Sequence, residues 1–213
     1  MKAVYLAAAL VAFQFASAQK TQELKDFKTV AIKGDIQMKL VKSNTNKAVY
    51  EAGDDELTIE QDGNSLVFDG DGMVTLYYKG ELEGIAAGAD TQVAGSDEIK
   101  GKSFNLAAAA DSQVSLKLNV QSLMLAAGSD AQVSIKGKTK EMTVTIGSDA
   151  DLDAKDFVAE DAMVTIGSDG QAEIQVKGAV TATVGSDGQL TIYGNPKKVN
   201  ETKGSDAEIT LVK

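Results

Sequence analysis

The segment VTIGSDADLDA at residues 144–154 recurs as VTIGSDGQAEI at residues 164–174 and as ATVGSDGQLTI at residues 182–192. Working outward from these three segments, Gly-Ser-Asp also stands at 128–130 and at 204–206, so that consecutive copies are separated by 19, 20, 18 and 19 residues. Relaxed copies, Ala-Ala-Asp and Gly-Ala-Asp, precede them at 109–111 and 88–90. Seven copies at a nearly constant interval indicate a repeat architecture, in which each unit is stabilised by its neighbours.

Apolar and polar residues alternate with a period of two around each copy, as in Val164, Ile166, Ala172 and Ile174. This period is typical of strands. About 19 residues hold only two or three short strands, too few to bury their own apolar face, so neighbouring repeats must stack. The pattern therefore predicts an all-β fold, a parallel β-helix of about seven coils in which each coil is hydrogen-bonded to the next.

The alternation also predicts the direction of the motif side chains. If strand geometry continues through Gly-Ser-Asp, the middle residue points inward, whereas the Asp and the residue two positions later point outward. The middle residues are Ala89, Ala110, Ser129, Ser148, Ser168, Ser186 and Ser205. The outward columns are Asp90, Asp111, Asp130, Asp149, Asp169, Asp187 and Asp206, and beside them Gln92, Gln113, Gln132, Asp151, Gln171, Gln189 and Glu208.

The two ends of the chain differ from its regular middle. Residues 1–18 have the features of a signal peptide: Lys2, an apolar run from Ala3 to Phe15, and Ala16-Ser17-Ala18 before the cleavage point. Residues 19–213 are then expected to form a single β-helix domain. Its first part, 24–80, supplies irregular capping coils and 81–213 the regular ones. In the last repeat Glu201 and Lys203 replace apolar residues, which predicts a C-terminal cap.

The composition excludes several kinds of chemistry. All 21 basic residues are Lys, and the chain has no Arg, His, Cys or Trp. It therefore lacks disulfides, thiolate nucleophiles, zinc-binding thiolates and the His base of the usual catalytic triads. A net charge of −10 repels nucleic acid. We expect no enzyme activity, no catalytic residue, no cofactor and no resident metal site.

Two groups of residues leave alternatives open. The column containing Asp130, Asp149, Asp169 and Asp187 places carboxylates about one strand spacing apart, where they could accept turn amide hydrogens or share Ca²⁺. Tyr77, Tyr78 and Lys79 could form a sugar-stacking patch, or could complete an N-terminal coil with one ring inside and one outside. In both cases the structural interpretation is favoured.

The order of the motifs resembles a known family. A Phe27-Lys28-Thr29-Val30 strand, Gly-Ser-small repeats at this interval, and Ile192-Tyr193-Gly194-Asn195-Pro196 before a last Gly-Ser motif resemble the head GIN domain family of auto-transporter adhesins, common in Bacteroidetes. The resemblance covers residues 24–213. It implies a right-handed parallel β-helix in an envelope or extracellular setting, and it supplies no catalytic residues.

These observations predict an exported, non-catalytic module, periplasmic or extracellular, which is monomeric and binds a surface polysaccharide or an envelope protein. Two other functions remain open. A self-associating scaffold would join β-helices end to end, and a carbohydrate-active enzyme would use a pair of the many carboxylates. The uniform repeats and the absence of His and Arg argue against the enzyme.

Overall fold

The computed structural model describes residues 19–53 and 56–212, so the predicted signal segment lies outside the described residues. All helical or strand structure in these ranges is β-strand. The strands are β1 Lys20–Glu23, β2 Thr29–Lys33, β3 Ile36–Lys42, β4 Lys47–Ala52, β5 Thr58–Asp62, β6 Ser65–Asp69, β7 Gly72–Tyr78, β8 Gly84–Ala87, β9 Gln92–Ala108, β10 Gln113–Ala127, β11 Gln132–Ile146, β12 Asp151–Ile166, β13 Gln171–Val176, β14 Ala179–Val184, β15 Gln189–Tyr193, β16 Lys198–Lys203 and β17 Glu208–Val212.

The regular part of the chain is a stack of parallel coils. Every Cα partner of β10 in β11 lies 19 residues later in the chain, from Gln113 with Gln132 to Ala127 with Ile146. The stack continues through β12, then through β13 and β14, and ends with β15, β16 and β17. The predicted β-solenoid of about seven coils is therefore confirmed.

The core consists of columns of aliphatic side chains along the solenoid axis. One column contains Leu125, Val144, Val164 and Ala182, each the register partner of the one before and each at most 1% exposed. Burying an aliphatic side chain of this size contributes about 1.5–3 kcal/mol relative to leaving it in water. Because each coil covers only one layer of this core, its stability depends on the coils above and below.

The Gly-Ser-Asp segment is a tight turn, and the prediction that its middle residue points inward was wrong. Ser129, Ser148, Ser168, Ser186 and Ser205 are all exposed. All seven Asp residues adopt a left-handed conformation with φ between 56° and 60°. This conformation turns the Ser out of the inward series, while the residue after the Asp points inward as continuous alternation predicts. Ser112, Ala131, Ala150, Gly170 and Gly188 occupy that inner position and are buried.

Hydrogen bonds join each turn to the next in both directions. The Gly147 N–H donates to the Ala127 carbonyl of the preceding coil at 2.8 Å, and the Asp149 N–H donates to the Ser168 carbonyl of the following coil at 3.3 Å. Asp tolerates the left-handed conformation better than most residues with a Cβ. The repeated Asp is therefore explained by backbone conformation, and the outward direction predicted for its side chain is confirmed, since all seven Asp residues are exposed.

The N-terminal strands do not stack in chain order. β2 and β3 lie between β6 and β7 on one side and β8 and β9 on the other, with parallel pairing on both sides. Antiparallel strands then cover the outermost pair, because β5 pairs with β6, β4 pairs with β7, and β1 pairs with β4. This arrangement supplies the expected irregular capping strands, while their spatial order has no counterpart in the repeat pattern.

The C-terminal coil ends the apolar columns with charged residues, as the sequence predicts. Glu201 pairs with Ala182 and Lys203 pairs with Val184, and the two charged side chains approach each other at 3.7 Å. The other half of this coil is less polar, since Leu211 is 52% exposed. The terminal layer is thus only partly capped by charge.

Replacing the turn residue Asp130 tests the role of backbone conformation. We expect Asp130→Val to destabilise the fold by about 1–2 kcal/mol, because a β-branched residue is disfavoured in the left-handed region. Asp130→Asn should change stability by much less, because Asn also tolerates this conformation. The measurement is urea unfolding of both variants. Equal losses would show that the Asp carboxylate, and not the backbone, accounts for the repeated residue.

Candidate functional site: a polar groove on the outer face

Two columns of outward side chains run along the face formed by the strands that follow each turn. In β9 to β13, β15 and β17 the first residue of the strand contributes to one column and the third residue to the other, and in β3 the second and fourth residues do so. The first column contains Gln37, Gln92, Gln113, Gln132, Asp151, Gln171, Gln189 and Glu208, which are successive register partners. The second column contains Lys39, Ala94, Ser115, Ser134, Asp153, Glu173, Thr191 and Thr210.

The N-terminal two-thirds of this face lies in an open groove of about 830 Å³, which we call the polar groove. It crosses six strands, from Met73 on β7 to Asp151 on β12, and is therefore about 24 Å long. Val49 and Glu51 on the antiparallel β4 line one end, where β4 pairs with β7. The sequence predicted the outward Gln column, but it gave no sign that β4 would make this face concave.

The uncharged hydrogen-bonding groups of the groove floor are amides and hydroxyls, and they stand among apolar surface that includes the exposed Met73. Gln92, Gln113 and Gln132 are exposed, and each amide carries two N–H donors and one acceptor oxygen. Ser115 and Ser134 add hydroxyls that can donate or accept in the second column. Among the described residues that line the groove, none is aromatic. Such a surface can form many neutral hydrogen bonds, at positions repeated with the strand spacing of about 4.8 Å.

One end of the groove is acidic. Asp153 pairs with Lys155 at 3.2 Å, and Lys155 also reaches Glu173 at 3.5 Å. Burial raises the pKa of Asp151 above its ordinary value, and the charges of Asp153 and Glu173 raise it further, while Lys155 opposes them. Raised carboxyl pKa values occur in catalytic sites, but also in structural charge clusters of this kind.

The Asp column at the turns lies beside the polar groove. Its side chains are exposed on consecutive coils, yet the described residues contain no cluster of three or more carboxylates able to hold a metal ion. The structure therefore supports the two interpretations of the Asp column, a role in the turn and Ca²⁺ binding, to different degrees. The backbone conformation of the turn accounts for the Asp residues, and no geometry in the described chain adds support for Ca²⁺.

The aromatic pair at the end of β7 is not an exposed patch. Tyr78 is 2% exposed, and its burial, followed by the charge of Asp97, raises its pKa to about 12. Tyr77 is half-buried, with Lys47 Nζ 5.0 Å from its ring centre. Lys79 pairs with Asp26 at 2.8 Å. The interpretation that these residues complete an N-terminal coil is confirmed.

Across the described ranges, no helix is long and apolar enough to cross a membrane.

Comparison with known families identifies residues 26–196 as a match to the family described as "Putative auto-transporter adhesin, head GIN domain". The match covers well over half of the chain. No curated protein matches in sequence.

Several solved structures share the fold. A putative adhesin from Bacteroides fragilis has a TM-score of 0.82 at 14% identity, covering 92% of this chain and 96% of that chain. A putative adhesin from Parabacteroides distasonis has a TM-score of 0.67 at 19% identity, with the same coverage. A structure from the same species described as a putative lipid binding protein has a TM-score of 0.64 at 16% identity, covering 93% and 98%. At these identities the likeness establishes the fold alone.

Calcium binding by the Asp column can be tested by thermal unfolding. A ligand that binds only the folded state raises the unfolding midpoint. Because we expect the column to bind no Ca²⁺, the midpoint should be the same in millimolar Ca²⁺ and in chelator. The control is the Asp130→Asn variant, whose midpoint should be equally insensitive to Ca²⁺. A Ca²⁺-dependent rise that Asp130→Asn abolishes would instead show that the column holds the ion.

Proposed function

The chain belongs to the head GIN domain family of putative auto-transporter adhesins, and on that basis we propose that it is an exported adhesion module whose polar groove binds a neutral surface polysaccharide. The observation that carries this proposal is the row of Gln37, Gln92, Gln113 and Gln132 on four adjacent strands, which lies in an open groove about 24 Å long. Family membership supports the coarser statement of a non-catalytic, adhesin-like role. The groove supports the choice of ligand.

The shape and the chemistry of the groove favour an extended, hydroxyl-rich polymer. Its length exceeds that of a single small molecule, and its floor repeats the same donors and acceptors from strand to strand. A polysaccharide offers hydroxyl groups along its length, each able to donate and accept. The polymer would form one set of hydrogen bonds per coil, so that several weak contacts add to a useful affinity.

The groove is also preorganised for such binding. Its columns stand on strands that are hydrogen-bonded on both sides, with Gln113 between Gln92 and Gln132. Side chains on rigid strands lose less conformational entropy on binding than side chains on loops. The β-solenoid therefore acts as a straight support on which ligand-binding groups repeat.

We propose that the groove does not catalyse hydrolysis. The pair Asp151 and Asp153 has the residue type that glycosidases use, and the raised pKa of Asp151 suits a proton donor. However, Asp153 already pairs with Lys155, and the surrounding coils continue the repeat without a unique loop. A glycan bound by the protein should therefore release no new reducing ends during prolonged incubation.

Export is part of the same proposal. The Lys2 start, the apolar run from Ala3 to Phe15 and the Ala16-Ser17-Ala18 pattern support a cleaved signal peptide, and adhesin-family membership is consistent with a surface role. After cleavage, residues 19–213 would form one β-helix domain. We propose a periplasmic or extracellular location.

A second candidate is end-to-end self-association. The observation that favours it is the C-terminal coil, where Leu211 and Val212 on the last strand, β17, are 52% and 37% exposed. Glu201 and Lys203 disfavour it, because a partner coil stacked on them would have to bury their charges. A molar mass that rises with concentration in light scattering, and that Leu211→Asp returns to the monomer value, would support this alternative.

The proposed groove function is tested by removing its amides. The triple variant Gln92→Ala, Gln113→Ala and Gln132→Ala should lose glycan-array binding by about tenfold or more, since several hydrogen bonds of about 1 kcal/mol each are lost. The matched control replaces Thr145, Thr165 and Thr183 by Ala, because these exposed residues form a column on adjacent coils outside the groove. The control should bind like the wild type.

Unchanged glycan binding by the triple Gln variant would contradict the proposal. So would a wild-type protein that binds no glycan but captures an envelope protein through the same residues, since the ligand class would then be wrong.

A further inference from the structure

The corner formed by three consecutive coils carries a dense set of lysines. In β9, β10 and β11, the nine outward positions that follow one another at this corner hold six Lys, one Glu and two amides. They are Glu98, Lys100 and Lys102 in the first coil, Lys117, Asn119 and Gln121 in the second, and Lys136, Lys138 and Lys140 in the third. This is a local charge of +5 in a chain whose net charge is −10.

Four of these lysines surround a defined cleft. Lys100, Lys102, Lys138 and Lys140 line an open cavity of about 560 Å³, which we call the lysine cleft. Asn119 and Gln121 lie between the two lysine pairs and also line it, together with Glu81 at the edge. The register places Asn119 opposite both Lys100 and Lys138, so the charged groups stand on either side of a neutral amide strand.

Carboxylates lie near these lysines but pair with few of them: Glu98 is the register partner of Lys117, Glu81 lines the cleft, and Glu141 follows Lys140. Lys100 pairs with Glu98 at 3.1 Å, and Lys136 pairs with Asp156 at 2.9 Å. Within residues 19–53 and 56–212, the other four lysines, Lys102, Lys117, Lys138 and Lys140, form no ion pair. The hydrogen bond from Lys100, followed by that from Asn119 and by the charges of Lys100 and Lys117, lowers the pKa of Glu98. Glu98 is thus fully ionised and already engaged.

The coil that follows reverses the sign of the charge. β12 places Asp156 and Glu160 at this corner, where β11 has its lysines. The positive region is therefore limited to three coils, about 10 Å along the solenoid axis. Lysines this close repel one another, and an acidic protein gains nothing in folding from gathering them. Such an arrangement favours a ligand that brings several negative charges to one place.

We infer that the lysine cleft binds an anionic polysaccharide, whose carboxylate or sulfate groups pair with Lys102, Lys138 and Lys140. On the strand lattice the backbone positions of Lys138 and Lys140 lie about 7 Å apart, and the two lysine pairs lie about 10 Å apart across the amide strand, which suits a polymer with regularly repeated charges. The intervening amides can bind sugar hydroxyls. None of the large hydrophobic side chains exposed in the described ranges lines the cleft, so it offers no contact to an acyl chain.

This second site does not depend on the polar groove. The groove lies on the face that begins at each turn, whereas the lysine cleft lies near the middle of the same long strands, and the two share no lining residue. A surface polysaccharide with charged and uncharged segments could occupy both sites. Binding at the cleft alone would be weak and sensitive to salt, because exposed charges are screened.

The test measures binding of polygalacturonate, with neutral dextran as the uncharged comparison, by the mature protein at about 50 mM and about 500 mM salt. The variant Lys102→Gln, Lys138→Gln and Lys140→Gln removes three positive charges from the cleft. We expect it to bind polygalacturonate about tenfold less tightly at low salt, and we expect high salt to weaken wild-type binding. All three side chains are exposed, so the melting temperature should not change.

A matched variant controls for net charge. Lys177→Gln, Lys197→Gln and Lys198→Gln remove the same charge from exposed positions on later coils, and this protein should bind within about twofold of the wild type. Equal losses in the two variants would overturn the inference, as would equal binding of neutral dextran. Tighter binding of anionic phospholipid vesicles or duplex DNA through the same lysines would also overturn it. The triple Gln→Ala groove variant should retain this binding.

Discussion

The structure depends on the backbone of each coil meeting the next coil in register, about 4.8 Å away. Hydrogen bonds between coils run along the strands and continue through the turns, where the Gly N–H groups donate backward and the Asp N–H groups donate forward. Successive motifs are 18 to 21 residues apart, and both sets persist because the differences in length are accommodated between the turns. The strand pairing of the regular coils shifts register between the turns, for example between Ser115 and Lys117 and between Ser134 and Gly137.

In-register stacking also determines what the surface can do. Every outward side chain lies next to the equivalent residue of the neighbouring coil. A residue that recurs in every coil therefore forms a column along the solenoid, and a residue type found in only a few adjacent coils forms a patch. The Gln column is the first case, since it persists along most of the solenoid. The lysine cleft is the second case, because only three coils carry it. Both surfaces are supported by the same rigid apolar core, and neither requires a loop to move.

Much of this fold could be predicted from the sequence, because the spacing between repeats equals the offset between residues that pair in neighbouring coils. The spacing of Gly-Ser-Asp gave the strand pairing, and the alternation gave the inward Val164 and Ile166 and the outward Gln113 and Gln132. The direction of Ser168 could not be obtained in this way, since the left-handed turn at Asp169 places it outside although the alternation has the same parity on both sides. The insertion of β2 and β3 between later strands also escaped prediction, because those strands carry no repeat motif. The wall that β4 adds to the polar groove depends on that same order.

The lysines at 100, 102, 138 and 140 were visible in the sequence, but only the stacking brings the two pairs together.

The central claim is that equivalent residues of successive repeats are direct neighbours, and cysteine crosslinking tests it most directly because the chain has no native Cys. Ser115 and Ser134 are register partners, so the double variant Ser115→Cys and Ser134→Cys places two thiols at a separation a disulfide can bridge. The account predicts rapid and nearly complete disulfide formation under mild oxidation in this pair. It predicts little in Ser115→Cys with Lys138→Cys, which is four residues out of register. Efficient crosslinking of the out-of-register pair, or none of the in-register pair, would contradict the stacked-coil structure.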